Sequence, residues 1–215
     1  MLSAEIRRRA SAARRRHRVA EFRLLRRIAR PLGYHLVPAT FYSPIPDLQE
    51  VPPHVWSEPA EMPGVAWDLD AQLAFVETEL GPHMTEYDPP LDPPGTTNGF
   101  YLRNGTFPGL DAEVLYAMVR RFRPSRVLEL GAGFSTLVIA SAAERNRADG
   151  APLKHEVFDP WPSPVIDAVR AQTEVHAAPA TDIPIEYLVA LKPNDILFID
   201  TTHTLKPGGD VVHLL

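Results

Sequence analysis

Cysteine is absent from the 215 residues of this chain. That excludes a disulfide framework, a thiolate metal site and a cysteine nucleophile. No apolar run approaches the roughly 18 residues that a membrane-spanning helix needs. No stretch has the arrangement of a secretory signal, and a cytoplasmic protein is expected. Acids are almost missing from residues 1–30, where eleven arginines stand against Glu5 and Glu21, a local charge of +9. The whole chain carries −5, so the remainder carries −14. A basic arm on an acidic body makes the overall pI uninformative about either part.

What is present falls into three regions. Residues 1–33 read as a basic amphipathic helix: Val19, Phe22, Leu25 and Ile28 recur at three-residue spacing among arginines, and Pro31 and Gly33 end it. The arm suits a solvated helix, a helix held at an anionic inner membrane surface, or nucleic acid. The third is disfavoured because no base-reading motif accompanies the arginines. Residues 34–110 form a Pro-rich cap, and 13 of the 23 prolines lie in 38–109. They forbid long helices except near Leu69–Leu80, where Leu69, Leu73, Val76 and Leu80 share a face. The aromatics Phe41, Tyr42, Trp56, Trp67, Phe100, Tyr101 and Phe107 argue for order there.

From 111 to 215 helices and short strands alternate. Helices are expected at Asp111–Phe122, with Asp111 as N-cap, and at Ser135–Asn146, Pro164–Gln172 and Pro184–Leu191. Strands are expected at Arg126–Leu130, His155–Phe158, Glu174–Ala177 and Asp195–Ile199. This rhythm predicts an α/β fold with a doubly wound, Rossmann-like parallel sheet.

Two stretches carry the chemistry. Val127-Leu128-Glu129-Leu130-Gly131-Ala132-Gly133-Phe134-Ser135 is a strand, a glycine turn and a helix start, a geometry that aims backbone N–H groups at a ligand. Glu129 stands where a dinucleotide dehydrogenase usually has an apolar residue, and a carboxylate there can attract a cation. Asp159 ends the second strand, where an acid accepts from ribose hydroxyls. It lies 28 residues after Gly131, and the Glu144–Lys154 loop absorbs the excess over the usual spacing. The second stretch, Asp195–His203, delivers Asp200 to a strand end with His203 three residues on, before a Gly-rich turn and Asp210-Val211.

Together these stretches resemble class I S-adenosylmethionine-dependent methyltransferases, in particular a bacterial family with a Glu-x-Gly-x-Gly first motif and an Ile-Asp-x-x-His fourth motif. The resemblance covers about Asp111–Leu215 and extends to Phe41–Asp47. It implies S-adenosylmethionine held by Glu129, Gly131, Ala132, Gly133, Ser135 and Asp159, with Asp182 toward the adenine. It also implies O-methylation of a sugar or small metabolite, with Asp200 and His203 catalytic and Asp200 a candidate Mg²⁺ ligand. That family's sheet runs 3-2-1-4-5-7-6, whereas only 3-2-1-4 is legible here, so the chain reads as C-terminally truncated. Two alternatives stay open: a nicotinamide-dependent oxidoreductase, disfavoured by Glu129 and the missing third glycine, and a non-catalytic or membrane-tethered remnant.

Overall fold

A computed structural model describes residues 22–37, 53, 68–95, 99–203, 205 and 209–214. The expectations placed on Val19, the Phe41–Asp47 stretch, Trp56, Trp67 and Lys206–Gly208 fall outside these residues. The chain forms two compact units, Met1–Ala66 and Trp67–Leu215, and the division lies inside the Pro-rich stretch.

In the first unit, helix α1 spans residues 22–29 and tightens into a 3-10 turn at Arg30–Leu32. Gly33 closes it in the left-handed region (φ 82°), with its N–H donating to Arg30 O. No described helix is long and apolar enough to cross a membrane.

The second unit opens with α2, Leu69–Phe75, capped by the Asp68 carboxylate, which accepts from Ala71 N–H. The expected helix continues beyond Leu80, but Val76–Leu80 is a π turn and α3 follows at Gly81–Met84. Pro82 explains the change of pitch. It has no N–H, and its ring crowds the carbonyl four residues back. The preceding turn widens, so Gly81 N–H donates to Val76 O five residues earlier.

Four strands follow: β1 Arg126–Leu130, β2 Lys154–Phe158, β3 Glu174–His176 and β4 Ile196–Ile199. They form a parallel sheet in the order 3-2-1-4. Helices α4 (Gly109–Phe122) and α5 (Phe134–Ala148) pack over the face bearing Val127. Ala180, Ile183 and Leu188 pack over the face bearing Leu128 and Leu130. Burial on both faces is why β1 reads as an almost unbroken apolar run. The second face is built around α6 (Ile185–Val189), the 3-10 turn Ala180–Asp182 and α7 (Asp210–Leu214).

Three local expectations shift. Asp111 sits within the first turn of α4, whose N-cap is Pro108. The segment expected as a helix from Pro164 is a 3-10 helix, Pro164–Val169, capped by Ser163. The helix expected over Pro184–Leu191 is the shorter α6, Ile185–Val189, with Pro184 as its N-cap.

Part of the cap is held against the sheet domain by aromatics and one buried arginine. Tyr87 stacks on Tyr116 at 4.2 Å, Tyr101 meets Phe134 edge-on at 5.3 Å, and Phe107 meets Phe198 of β4 at 6.1 Å. Arg120, 4% exposed, donates to Glu86 of the cap, to Asn146 and to Asp149. Burial alone would lower the Arg120 pKa, but its bonds to Glu86 and Asp149 raise it instead.

Candidate functional site

Strands β1, β2 and β3 run outward to one side, and the chain then returns to place β4 on the other side of β1. The carboxyl ends of β1 and β4 therefore flank the point where the winding reverses. In open parallel sheets this is where a crevice forms and ligands bind. The glycine turn, Asp159, Asp200 and His203 all follow strands at this edge.

Gly131 has φ 98°, and a Cβ there would stand 1.9 Å from the carbonyl oxygen of Asp200. Its demand for glycine comes from the β4 backbone passing alongside, reinforced by Asp200 N–H donating to Leu130 O at 2.8 Å. Gly133 differs. It is extended (φ −173°), and a Cβ there would meet nothing within 4 Å. Its flank is open space beside the α5 start.

Asp159 braces the turn from β2. One carboxylate oxygen accepts from Ala132 N–H at 2.8 Å and the other from Trp161 N–H at 2.6 Å. A carboxylate has about four acceptor positions, so each oxygen retains capacity for a hydroxyl donor. Trp161 beside it is 85% exposed.

Glu129 and Ser135 face inward. Glu129 is fully buried and accepts from Ser135 Oγ at 2.6 Å, and its second oxygen lies 2.9 Å from His155 Nε2. Strand alternation and register explain the meeting: Val127 pairs with His155 and Glu129 with Val157, so all four share the α5 face. Both oxygens of Glu129 thus have protein partners. Asp182 is exposed after β3.

At the end of β4, His203 Nε2 lies 2.7 Å from Asp200 Oδ1. Both side chains reach solvent, and His203 is held at φ 54°, in the left-handed region. Strained backbone of this kind persists where surrounding structure over-determines it. Here the restraint is Asp210, whose carboxylate accepts from Thr202 N–H, Thr202 Oγ1 and Val211 N–H. The Thr202 hydroxyl and N–H bonds hold the Asp210 pKa well below the ordinary carboxylate range.

Asn104 organises the loop that leads to Phe107. Asn104 Oδ1 accepts from Thr106 and Phe107 N–H groups, and its amide donates to the Tyr101 and Phe107 carbonyls.

Two arrangements were not anticipated from sequence. Asp195 accepts from Ser125, Arg126 and Lys192 backbone N–H groups, tying the start of β1 to the start of β4. On the α6 face, buried Glu156 accepts from Arg126 Nε at 2.5 Å, from Lys154 and from the Tyr187 hydroxyl, while the Arg126 guanidinium lies 4.2 Å from the Tyr187 ring centroid. Glu156, Glu174 and His176 lie close enough together to share a metal ion. Lys154 already bridges the two acids at 3.0 and 2.9 Å, however, and supplies the positive charge. Asp200 belongs to no such grouping among the described residues.

The chain is similar to an uncharacterized protein of Archaeoglobus fulgidus, with 27% identity over 181 residues that span 79% of each chain. No protein-family model matches the chain, and no solved structure does.

Proposed function

We propose that the second unit is a cytoplasmic S-adenosylmethionine-dependent O-methyltransferase domain acting on a sugar or small metabolite. The observation that carries this reading is the open flank of Gly133 at the winding reversal, between the Asp159 carboxylate and the Asp200–His203 pair. Gly133 and the N–H groups at the start of α5 leave room for a ligand to approach the backbone. Asp159 offers its remaining acceptor capacity to ribose hydroxyls. The buried Glu129–Ser135–His155 group shapes the turn from beneath.

When bound, S-adenosylmethionine supplies an electrophilic methyl group. Transfer to a hydroxyl needs the acceptor aligned at about 3–3.5 Å and its proton removed. Asp200 accepts from His203 Nε2–H, which leaves Nδ1 as the unprotonated ring nitrogen to take that proton. Asp200 is engaged by His203 and belongs to no group of three metal-ligating side chains among the described residues, so a Mg²⁺ ion at Asp200 would compete with the His203 bond.

Calorimetric titration with S-adenosylhomocysteine tests the reading. We expect saturable one-site binding, weakened by Asp159→Ala and unchanged by His203→Gln. In an acceptor screen, His203→Gln should lower kcat by about 100-fold or more, the usual range for loss of a general base. A folded chain that binds NADH but not S-adenosylhomocysteine would instead make the domain an oxidoreductase.

A further inference from the structure

Helix α1 sorts its residues by chemistry. At about 100° per residue in the helix and about 120° in the 3-10 turn that continues it, Arg23, Arg26, Arg27 and Arg30 fall in one arc, and Leu24, Leu25, Ile28 and Leu32 fall in the opposite one. The four aliphatic side chains are 54–68% exposed. Tyr34 N–H donates to Ala29 O at 3.0 Å, and this closure turns the chain back after Gly33. All four arginines, with Tyr34, His35 and Leu36, line a cavity of about 650 Å³. No acid occurs from residue 22 to residue 46.

We propose that residues 22–36 form a docking surface for an anionic phospholipid bilayer. The aliphatic arc enters the boundary between headgroups and acyl chains, the usual placement of a basic amphipathic helix. The arginine cavity takes lipid phosphate, which guanidinium groups grip through paired N–H donors. Long arginine stems let the charges stay at headgroup level while the helix lies in the interface. A nucleic acid would use the arginine arc but would leave the aliphatic arc in water, and the clean separation of the two arcs favours lipid.

The test is co-sedimentation of the full chain with phosphatidylcholine vesicles, with and without phosphatidylglycerol. The chain should pellet with the phosphatidylglycerol vesicles, and added salt should release it. Two variants divide the surface: one with Arg23, Arg26, Arg27 and Arg30 all changed to Gln, and one with Leu24, Leu25 and Ile28 changed to Ser. Each should lose about tenfold or more of the partition coefficient, given the per-residue contributions of basic and apolar side chains at such surfaces. Matched thermal melts would show that the second unit stays folded in both. The proposal is overturned if the parent chain remains in the supernatant with phosphatidylglycerol vesicles. It is equally overturned if the Ser variant pellets as well as the parent, since a polyanion-binding arm of the nucleic-acid kind needs no aliphatic arc.

Discussion

Gly131 and Gly133 stand two positions apart in one turn and answer to different demands. At Gly131, a methyl group would collide with the Asp200 carbonyl on a backbone that is already left-handed. Gly131→Ala should therefore cost on the order of 3 kcal/mol or more, because strain and a backbone clash add. At Gly133 the backbone is extended and the space empty, so Gly133→Ala should leave the thermal midpoint within a degree or two (about 0.5 kcal/mol or less). A bulkier Gly133→Val should mainly weaken ligand binding. Differential scanning fluorimetry of the three variants, followed by titration with S-adenosylhomocysteine, checks the pair. The sequence shows both glycines but cannot separate their roles, since the collision partner lies 69 positions away. Glu129 repeats the lesson. Its place in the motif is legible, but its pairing with His155 depends on the β1–β2 register, which no local pattern encodes.

At the scale of elements, β1 was readable to the residue because a doubly buried strand is an apolar run with a glycine stop. The segment from Pro164 was readable only as helical. Its shortness and 3-10 pitch follow from the Ser163 cap and Pro164 at one end and a turn into β3 at the other. The contact between Asp210 and Thr202 was invisible in the sequence, yet it ties the start of α7 to the segment carrying His203. Because the folded pKa of Asp210 is depressed, its stabilising contribution is whole at neutral pH. That contribution declines as the pH falls below the ordinary value near 3.8 toward the folded one. Glu156 titrates with the same sign: burial would raise its pKa, but the Tyr187, Arg126 and Lys154 bonds overcome this and lower it. Asp210→Asn should thus lower the melting temperature at pH 7 and reduce the further drop between pH 7 and pH 3. Part of that drop should remain because of Glu156. Melting curves at the two pH values decide the matter, and parallel drops in parent and variant would contradict it.

Across the whole molecule, charge is distributed more unevenly than the net value suggests: +9 in the first thirty residues and −14 in the rest. At low ionic strength and pH 7.5, the chain should be retained by both cation and anion exchangers, although its sequence pI is about 5.9. Removing residues 1–30 should abolish retention on the cation exchanger alone. The fold class was legible at this scale because helix–strand alternation is a global rhythm. The division at Ala66–Trp67 was not, because proline-rich sequence continues on both sides of it.

The Asp195 tie reaches back to Ser125 and Arg126, and β4 pairs with β1 residues 69 positions earlier, against 28 for the β1–β2 pairing. Closing the longer loop carries the larger entropic cost, so β4 should join a sheet whose other strands have already paired. The crevice at the winding reversal has no second wall until then. In stopped-flow refolding, recovery of ligand binding should therefore trail recovery of helical circular dichroism, and the delay should lengthen when Asp195 is replaced by Ala. Competence to bind would then mark the last event of folding rather than an early one.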